Sequence, residues 1–292
     1  VTPPLTVAGL VVTAVSRARA VLEEREAGLR SGSEPEDVHK SRVATRRLRS
    51  DLATLAPVLD RDRVGVVRSE LRWLGGELGP VRDADVLDAL VERELGRLEC
   101  ADPVGACGLH GRLAQDRRLA HQRLVGALDS DRYRTLVDDL HQIEAAPPLA
   151  PGVDPDAPAG PPASEATLRA LRRVRQAVRA LPDHDPEAEA LHEVRKRAKR
   201  ARYAAELVSE LSGGRTDKLA QRLTELQDVL GAHQDQVVLR SWLLALPIDE
   251  LDPRTAFTAG RLAQALSVDG PPPVWAEAWQ AAWGLRDRAR FA

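Results

Sequence analysis

An all-α fold made of two related halves is predicted by three features of the 292-residue sequence. Ala, Leu, Arg and Glu dominate its composition, and aromatic residues make up only 3%. Strand-type alternation is absent, and turn signals separate apolar-periodic segments of about 15 to 25 residues. A basic pattern built on His39, Arg42, Arg46, Arg47 and Arg49 recurs 153 positions later as His192, Arg195, Lys199, Arg200 and Arg202.

The first helix is expected over residues 6–29, ending near Gly28 and the Ser31-Gly32-Ser33 turn. Pro35, Glu36 and Asp37 then open the His39 helix, because Pro suits a first turn and acids favour the N-terminal end of the dipole. That helix stops near Pro57. Helices follow over 61–78 and 82–99, with Leu78-Gly79-Pro80 read as the break and Asp83 or Asp85 near the new N-terminus. Two more are expected over 104–128 and 131–145, the last capped near Ser130 or Asp131. Residues 147–163 hold seven prolines and no apolar period, which marks a surface linker between a first bundle (1–146) and a second (164–292). Helices over 164–181, 187–211, 215–230, 233–246, 254–268 and 273–290 make six again. Leu78-Gly79-Pro80-Val81-Arg82-Asp83 matches Leu230-Gly231-Ala232-His233-Gln234-Asp235 at an offset of 152, so two features keep their separation in both halves. Such a duplication packs about a pseudo-twofold axis, and a central cavity between the bundles is the expected result.

The repeated helix carries the chemistry. At 100° per residue, with His39 at zero, Arg42, Arg46 and Arg49 fall at about 300°, 340° and 280°, a single stripe. Ala44, Leu48, Leu52 and Leu55 occupy the opposite face, as Val194, Ala201, Ala205 and Val208 do in the second copy, and these faces are expected to be buried. No matching run of carboxylates stands at i±4 to neutralise either stripe. Cations held in line repel one another, and a multiply charged anion relieves that repulsion; Arg offers a flat fork that fits phosphate bidentately. The formal net charge of −2 does not oppose this, because residues 37–50 carry five basic side chains against Asp37 and residues 192–202 six against Glu193.

Cys100 and Cys107 are too few for a disulfide framework or a zinc site, which suits a reducing cytosol. The apolar run Ala8–Val15 is too short for a membrane span, and no basic segment precedes it as in a signal peptide. The chain starts at Val1 and contains no Met, so a trimmed form or a piece of a longer protein is expected.

With these motifs in place, the sequence resembles the CHAD family, the conserved histidine α-helical domain. The likeness runs through His39-x-x-Arg42-Val43-x-x-Arg46-Arg47-x-Arg49, Leu78-Gly79-x-x-Arg82-Asp83-x-Asp85-Val86, His192-x-x-Arg195-x-x-x-Lys199-Arg200-x-Arg202-Tyr203 and Leu226-Gln227-Asp228-x-Leu230-Gly231-x-x-Gln234-Asp235. The resemblance implies two pseudo-symmetric bundles with a basic central cavity, binding of inorganic polyphosphate, and a cytoplasmic location at polyphosphate granules. Many members follow a CYTH triphosphatase domain. No CYTH acidic signature is visible here, so an accessory substrate-binding role beside such an enzyme is the alternative, and hydrolysis is not carried over.

The expected polyphosphate contacts are His39, Arg42, Arg46, Arg49, His192, Arg195, Lys199 and Arg202, with Arg47 and Arg200 about 80° round their helices and Lys196 extending the second stripe. Arg72, Arg82, Lys218 and Arg222, on neighbouring helices, are candidates for the cavity wall. Neither histidine has a His or carboxylate ligand partner at helical spacing on its stripe, so no metal and no cofactor are expected. Asp83 and Asp235 read as helix caps that also brace an Arg. Gly75, Gly76 and Gly79 lack the strand and Lys-Ser/Thr of a phosphate loop, and Trp275, Trp279 and Trp283 read as a core stripe. Phosphoryl transfer needs converging carboxylates for Mg²⁺, which the stripes lack, so no catalysis is expected on this chain. Few aromatics and the net charge disfavour nucleic acid.

Overall fold

A computed structural model describes residues 6–32, 34–99, 101–182, 186, 188–266 and 274–290. Among these residues there are ten α-helices and no strands: α1 (Val7–Ser31), α2 (Pro35–Thr54), α3 (Arg61–Leu95), α4 (Pro103–Asp129), α5 (Asp131–Ala145), α6 (Gly160–Arg179), α7 (Ala188–Ser212), α8 (Asp217–Leu244), α9 (Pro253–Ala265) and α10 (Val274–Trp283). Short polar side chains start several of them. Thr6 accepts the Gly9 N–H, Asp60 those of Asp62 and Arg63, Asp102 that of Val104, Ser130 that of Tyr133 and Asp252 those of Arg254 and Thr255. Gly32, at φ 67°, ends α1 in the left-handed conformation that favours glycine.

The structure has five helices per half where six were expected, because both predicted breaks lie inside continuous helices. Pro80 sits within α3, and Gly231 within α8. An interior Pro costs about 3 kcal/mol. It is tolerated because α3 is buried on both sides of it: Val64, Val67, Leu71, Leu74 and Leu78 enter one core, and Leu90, Val91 and Leu95 another. At 1.5 Å per residue the 35 residues of α3 run about 52 Å. Asp83 and Asp235 are therefore mid-helix residues and not caps.

The first core is formed by α1, α2, the N-terminal part of α3, the C-terminal part of α4, and α5. The second is formed by α6, α7, the N-terminal part of α8, and α10. Trp279 is buried in it with Trp275 and Trp283 against it, which agrees with their reading as packing residues. A third core joins the far ends of α3 and α4 to those of α8 and α9, so both halves share it. Across the halves α2 meets α7, α3 meets α8 and α4 meets α9. Each of these helices touches its own counterpart, as elements beside a pseudo-twofold axis do. The crossing of α4 with α9 is close: a Cβ at Gly105 would overlap the Thr258 hydroxyl, and one at Gly108 the Thr255 hydroxyl.

The Pro-rich stretch is tied down at several points. The Val7 N–H donates to Ala157 O at 2.9 Å and the Asp60 N–H to Pro148 O at 2.8 Å, while Leu149 packs on the first core. Pro161 and Pro162 belong to the first turn of α6, where a missing N–H removes no helical bond. Among the described residues no helix is long and apolar enough to cross a membrane.

Candidate anion-binding site

The expected apolar faces are buried. Leu48, Leu52 and Leu55 are at most 1% exposed and Val194, Ala201, Ala205 and Val208 are fully enclosed; Ala44 is half-buried. Burial of these faces turns the polar sides of α2 and α7 toward each other where the helices cross. Lys199, half-buried, lies at the centre of that crossing. The charges acting on it belong to Arg46 and Arg42 of α2 and to Arg195 and Arg202 of its own helix, and all are positive. Burial first, and these four guanidinium groups second, push its ammonium pKa down to about 7. The two stripes thus meet at one place.

Small residues and carboxylates of the repeated Leu-Gly motif position the arginines. Arg42 donates from Nη1 to the Asp83 carboxylate at 2.7 Å and to Gly79 O at 3.0 Å. A Cβ at Gly79 would stand 3.6 Å from that Nη1, and in the second half one at Gly231 would stand 3.1 Å from Arg195 Nη2. Asp235 faces Arg195, and burial holds its carboxyl above the ordinary value. Asp83 thus braces an arginine although it caps no helix, whereas Asp235 acts on Arg195 only through its charge. Arg46 donates from Nε to the Tyr203 hydroxyl at 2.9 Å, and Arg202 lies over the Tyr203 ring with its Cζ 5.0 Å from the centroid. Tyr203, buried, fixes one arginine from each half; it stood in the repeated motif, but nothing in its spacing indicated that role.

A second basic group adjoins the first. Burial, then Arg72, Arg68 and Arg200, hold Arg49 below the ordinary guanidinium value, and burial, Arg72 and Arg200 do the same to Arg68. Arg68 was missed by the sequence analysis, although its position one turn before Arg72 on α3 puts both on one face. His39 is held below the usual imidazole value by burial and then by Arg82, with Arg46 and Arg42 adding to it. For His192 burial leads, followed by Lys196. Both rings are therefore disposed to be neutral near pH 7.

Other expected contacts are engaged elsewhere. Arg47 forms ion pairs with Glu210 at 2.9 Å and Glu206 at 3.4 Å, and with buried Asp51 at 3.9 Å. It also lines a groove of about 380 Å³ between α1 and α2, together with His39. Arg202 lies 3.6 Å from Glu206. Arg222 is paired with Glu225 at 2.6 Å and Lys196 with Glu193 at 2.5 Å. Lys218 is exposed in the first turn of α8, and neither it nor Arg222 is among the charges acting on Lys199, Arg49 or Arg68. The expectation of no i±4 neutralisation fails on both helices, since Asp51 stands four residues after Arg47 and Glu206 four after Arg202, and α7 further supplies Glu206 and Glu210 to Arg47 of α2. Cys107 is an exposed free thiol, and Cys100 lies outside the described residues.

The CHAD domain family profile matches residues 13–244. The chain belongs to the CHAD domain family. Its fold is similar to that of PptA from Streptomyces chartreusis, with a TM-score of 0.73 and 24% identity over 96% of this chain and 99% of the other. It is likewise similar to the CHAD domain of the plant Ricinus communis, with a TM-score of 0.71 and 23% identity over 91% and 87%. In sequence it is 35% identical over 217 residues to two proteins of Mycobacterium tuberculosis, "Uncharacterized protein Rv2226" and "Uncharacterized protein MT2285". The match covers 71% of this chain and spans 40% of each curated relative's length. In this CHAD domain the two histidine-bearing helices, α2 and α7, meet at their crossing.

Proposed function

We propose that this CHAD domain binds inorganic polyphosphate, without catalysing a reaction on it, at the crossing of α2 and α7. The observation that carries the reading is Lys199, half-buried, on which Arg46 and Arg42 of the first half and Arg195 and Arg202 of the second act as the leading charges, all positive. Such a cluster is repulsive when empty and relaxed by a ligand with closely spaced negative charges. Arg42, Arg46, Arg195 and Lys199 are the primary contacts, with Arg82 and Arg202 beside them and His39 and His192 as donors at the margins; Arg49, Arg72 and Arg200 stand outside this central group and meet longer chains. Among the described residues no group of three His, Cys, Asp or Glu side chains is placed to hold a metal ion, and Arg surrounds the site instead. In the cell the domain recruits its protein to cytoplasmic polyphosphate granules.

Fluorescence anisotropy with labelled long-chain polyphosphate tests this, with single-stranded DNA and RNA as competitors. Polyphosphate should displace the probe at concentrations at which DNA and RNA do not. Equal competition by nucleic acid of matched charge, or no binding of polyphosphate at 100 mM salt, would overturn the assignment. Phosphate release measured with and without Mg²⁺ should stay at background.

A further inference from the structure

The pseudo-twofold axis relates backbones, but the charges at its two sides differ. Where α2 and α7 cross, Arg49 and Arg200 lie together on one side, and their counterparts Arg202 and Arg47 lie on the other. On the first side α3 adds Arg68 and Arg72. At the matching positions of α8 stand Ala220 and Thr224. On the second side α7 adds Glu206 and Glu210, and at their matching positions in the first half stand Ala53 of α2 and Pro57, just past its end.

The consequence is a difference in free positive charge. Every charge that acts on Arg49 or Arg68 belongs to another arginine; a buried Nε without a hydrogen-bond partner occurs on Arg68 but equally on Arg47 and Arg202, so the ion pairs and not the orphaned atoms mark the difference. On the other side Arg47 is bound by Glu210 and Glu206, Arg202 approaches Glu206, and Arg17 of α1 adds a 2.8 Å pair with Glu210. A chain of negative charge leaving the crossing on that side meets two carboxylates whose cations are already satisfied. On the Arg68 side it meets four guanidinium groups that repel one another until an anion arrives.

We propose that a linear polyanion bound at the crossing of α2 and α7 leaves it in one direction only, over a subsite formed by Arg49, Arg68, Arg72 and Arg200. This rests on the polyphosphate reading above and adds a polarity to it. The crossing holds the first few phosphates, and the subsite engages only chains long enough to reach it. Chain-length preference then resides in Arg68 and Arg72, which the central cluster does not contain.

The test is binding of triphosphate and of polyphosphate some tens of phosphates long, by calorimetry over a salt series, to the parent chain and to Arg68→Gln/Arg72→Gln. The variant should lose at least tenfold in affinity for the long chain while its triphosphate affinity stays within twofold. Its salt slope for the long chain should be shallower by about 1.4, from about 0.7 for each cation removed from a flexible polyanion. Arg68→Lys/Arg72→Lys keeps both charges and should recover most of the slope; it guards against a folding defect in the Gln variant, as does circular dichroism. Equal loss for both ligands, or an unchanged long-chain affinity, overturns the one-sided exit while leaving the polyphosphate reading intact. Failure of the parent chain to bind either ligand overturns that reading itself.

Discussion

Lys199 makes binding a proton-linked event. Its ammonium group is held down to about pKa 7 by burial and by Arg46, Arg195, Arg202 and Arg42. A polyanion bound among those residues adds negative charge beside Lys199 and restores the proton, so binding above pH 7 takes a proton up. If the bound state requires the ammonium form, apparent affinity falls by the factor 1 + 10^(pH−7), about 1.1 at pH 6 and about 30 at pH 8.5. His39 and His192, both held below the usual imidazole value, add uptake only at the acid end of that range. Terminal phosphates of the ligand gain charge as pH rises and act oppositely, so a long chain with few ends isolates the protein's part. Lys199→Arg keeps the cation and removes the titration, because a guanidinium stays ionised. Calorimetry in two buffers of different ionisation enthalpy at pH 8 reads the proton directly. The parent chain should take up close to one proton per site and weaken about thirtyfold from pH 6 to 8.5, whereas Lys199→Arg should do neither. A parent affinity that is flat with pH, or an equal dependence in the Arg variant, would refute the role assigned to Lys199.

Further outcomes follow from other contacts. Gly231→Ala places a methyl group 3.1 Å from Arg195 Nη2, so it should weaken binding several-fold by displacing that guanidinium while helix propensity adds up to about 1 kcal/mol of stability, read by paired titration and thermal melts. Asp51 is pushed up to about pKa 7, chiefly by burial, so the stability it contributes is complete below about pH 4 and is lost as pH rises through about 7. Asp51→Asn should therefore gain melting temperature relative to the parent chain between pH 5 and pH 8. Gly105→Ala should destabilise without altering ligand contacts, since its Cβ would overlap Thr258 at the α4–α9 crossing; circular-dichroism melts check it. Polyphosphate at a hundredfold excess over Kd should stabilise the fold by about 2.7 kcal/mol, and the ligand-induced shift in melting temperature should narrow as salt rises.

The local code was legible where a single helix determines the outcome. Helical period placed Leu48, Leu52, Val194 and Ala205 in the interior and set Arg42, Arg46, Arg195 and Lys199 opposite them, which the structure reproduces. The offset between repeats located α2 and α7 as counterparts, and the self-pairing of α2 with α7, α3 with α8 and α4 with α9 is the geometry a duplication leaves. Pro80 and Gly231 misled because local punctuation says nothing of the cores on either side of each break, the first and third for α3 and the second and third for α8, which keep both helices continuous. Arg47 and Arg200 looked equivalent by offset, yet Glu206 and Glu210 of α7 bind Arg47 and not Arg200. Arg68 and Tyr203 acquire their roles from neighbours on other elements. Such pairings are tertiary, and one helix's periodicity does not contain them.

The central claim is that two repeated helices build one site, and its most direct measure is binding stoichiometry in half-specific variants. Arg42→Ala/Arg46→Ala alters the first half and Arg195→Ala/Lys199→Ala the second; both should remain helical, because these side chains lie on the polar faces. Calorimetric titration with a short polyphosphate should give one ligand per parent chain, with each double variant weakening that single site by tenfold or more. Two ligands per chain, with one site surviving unchanged in each variant, would contradict a shared site at the crossing of α2 and α7.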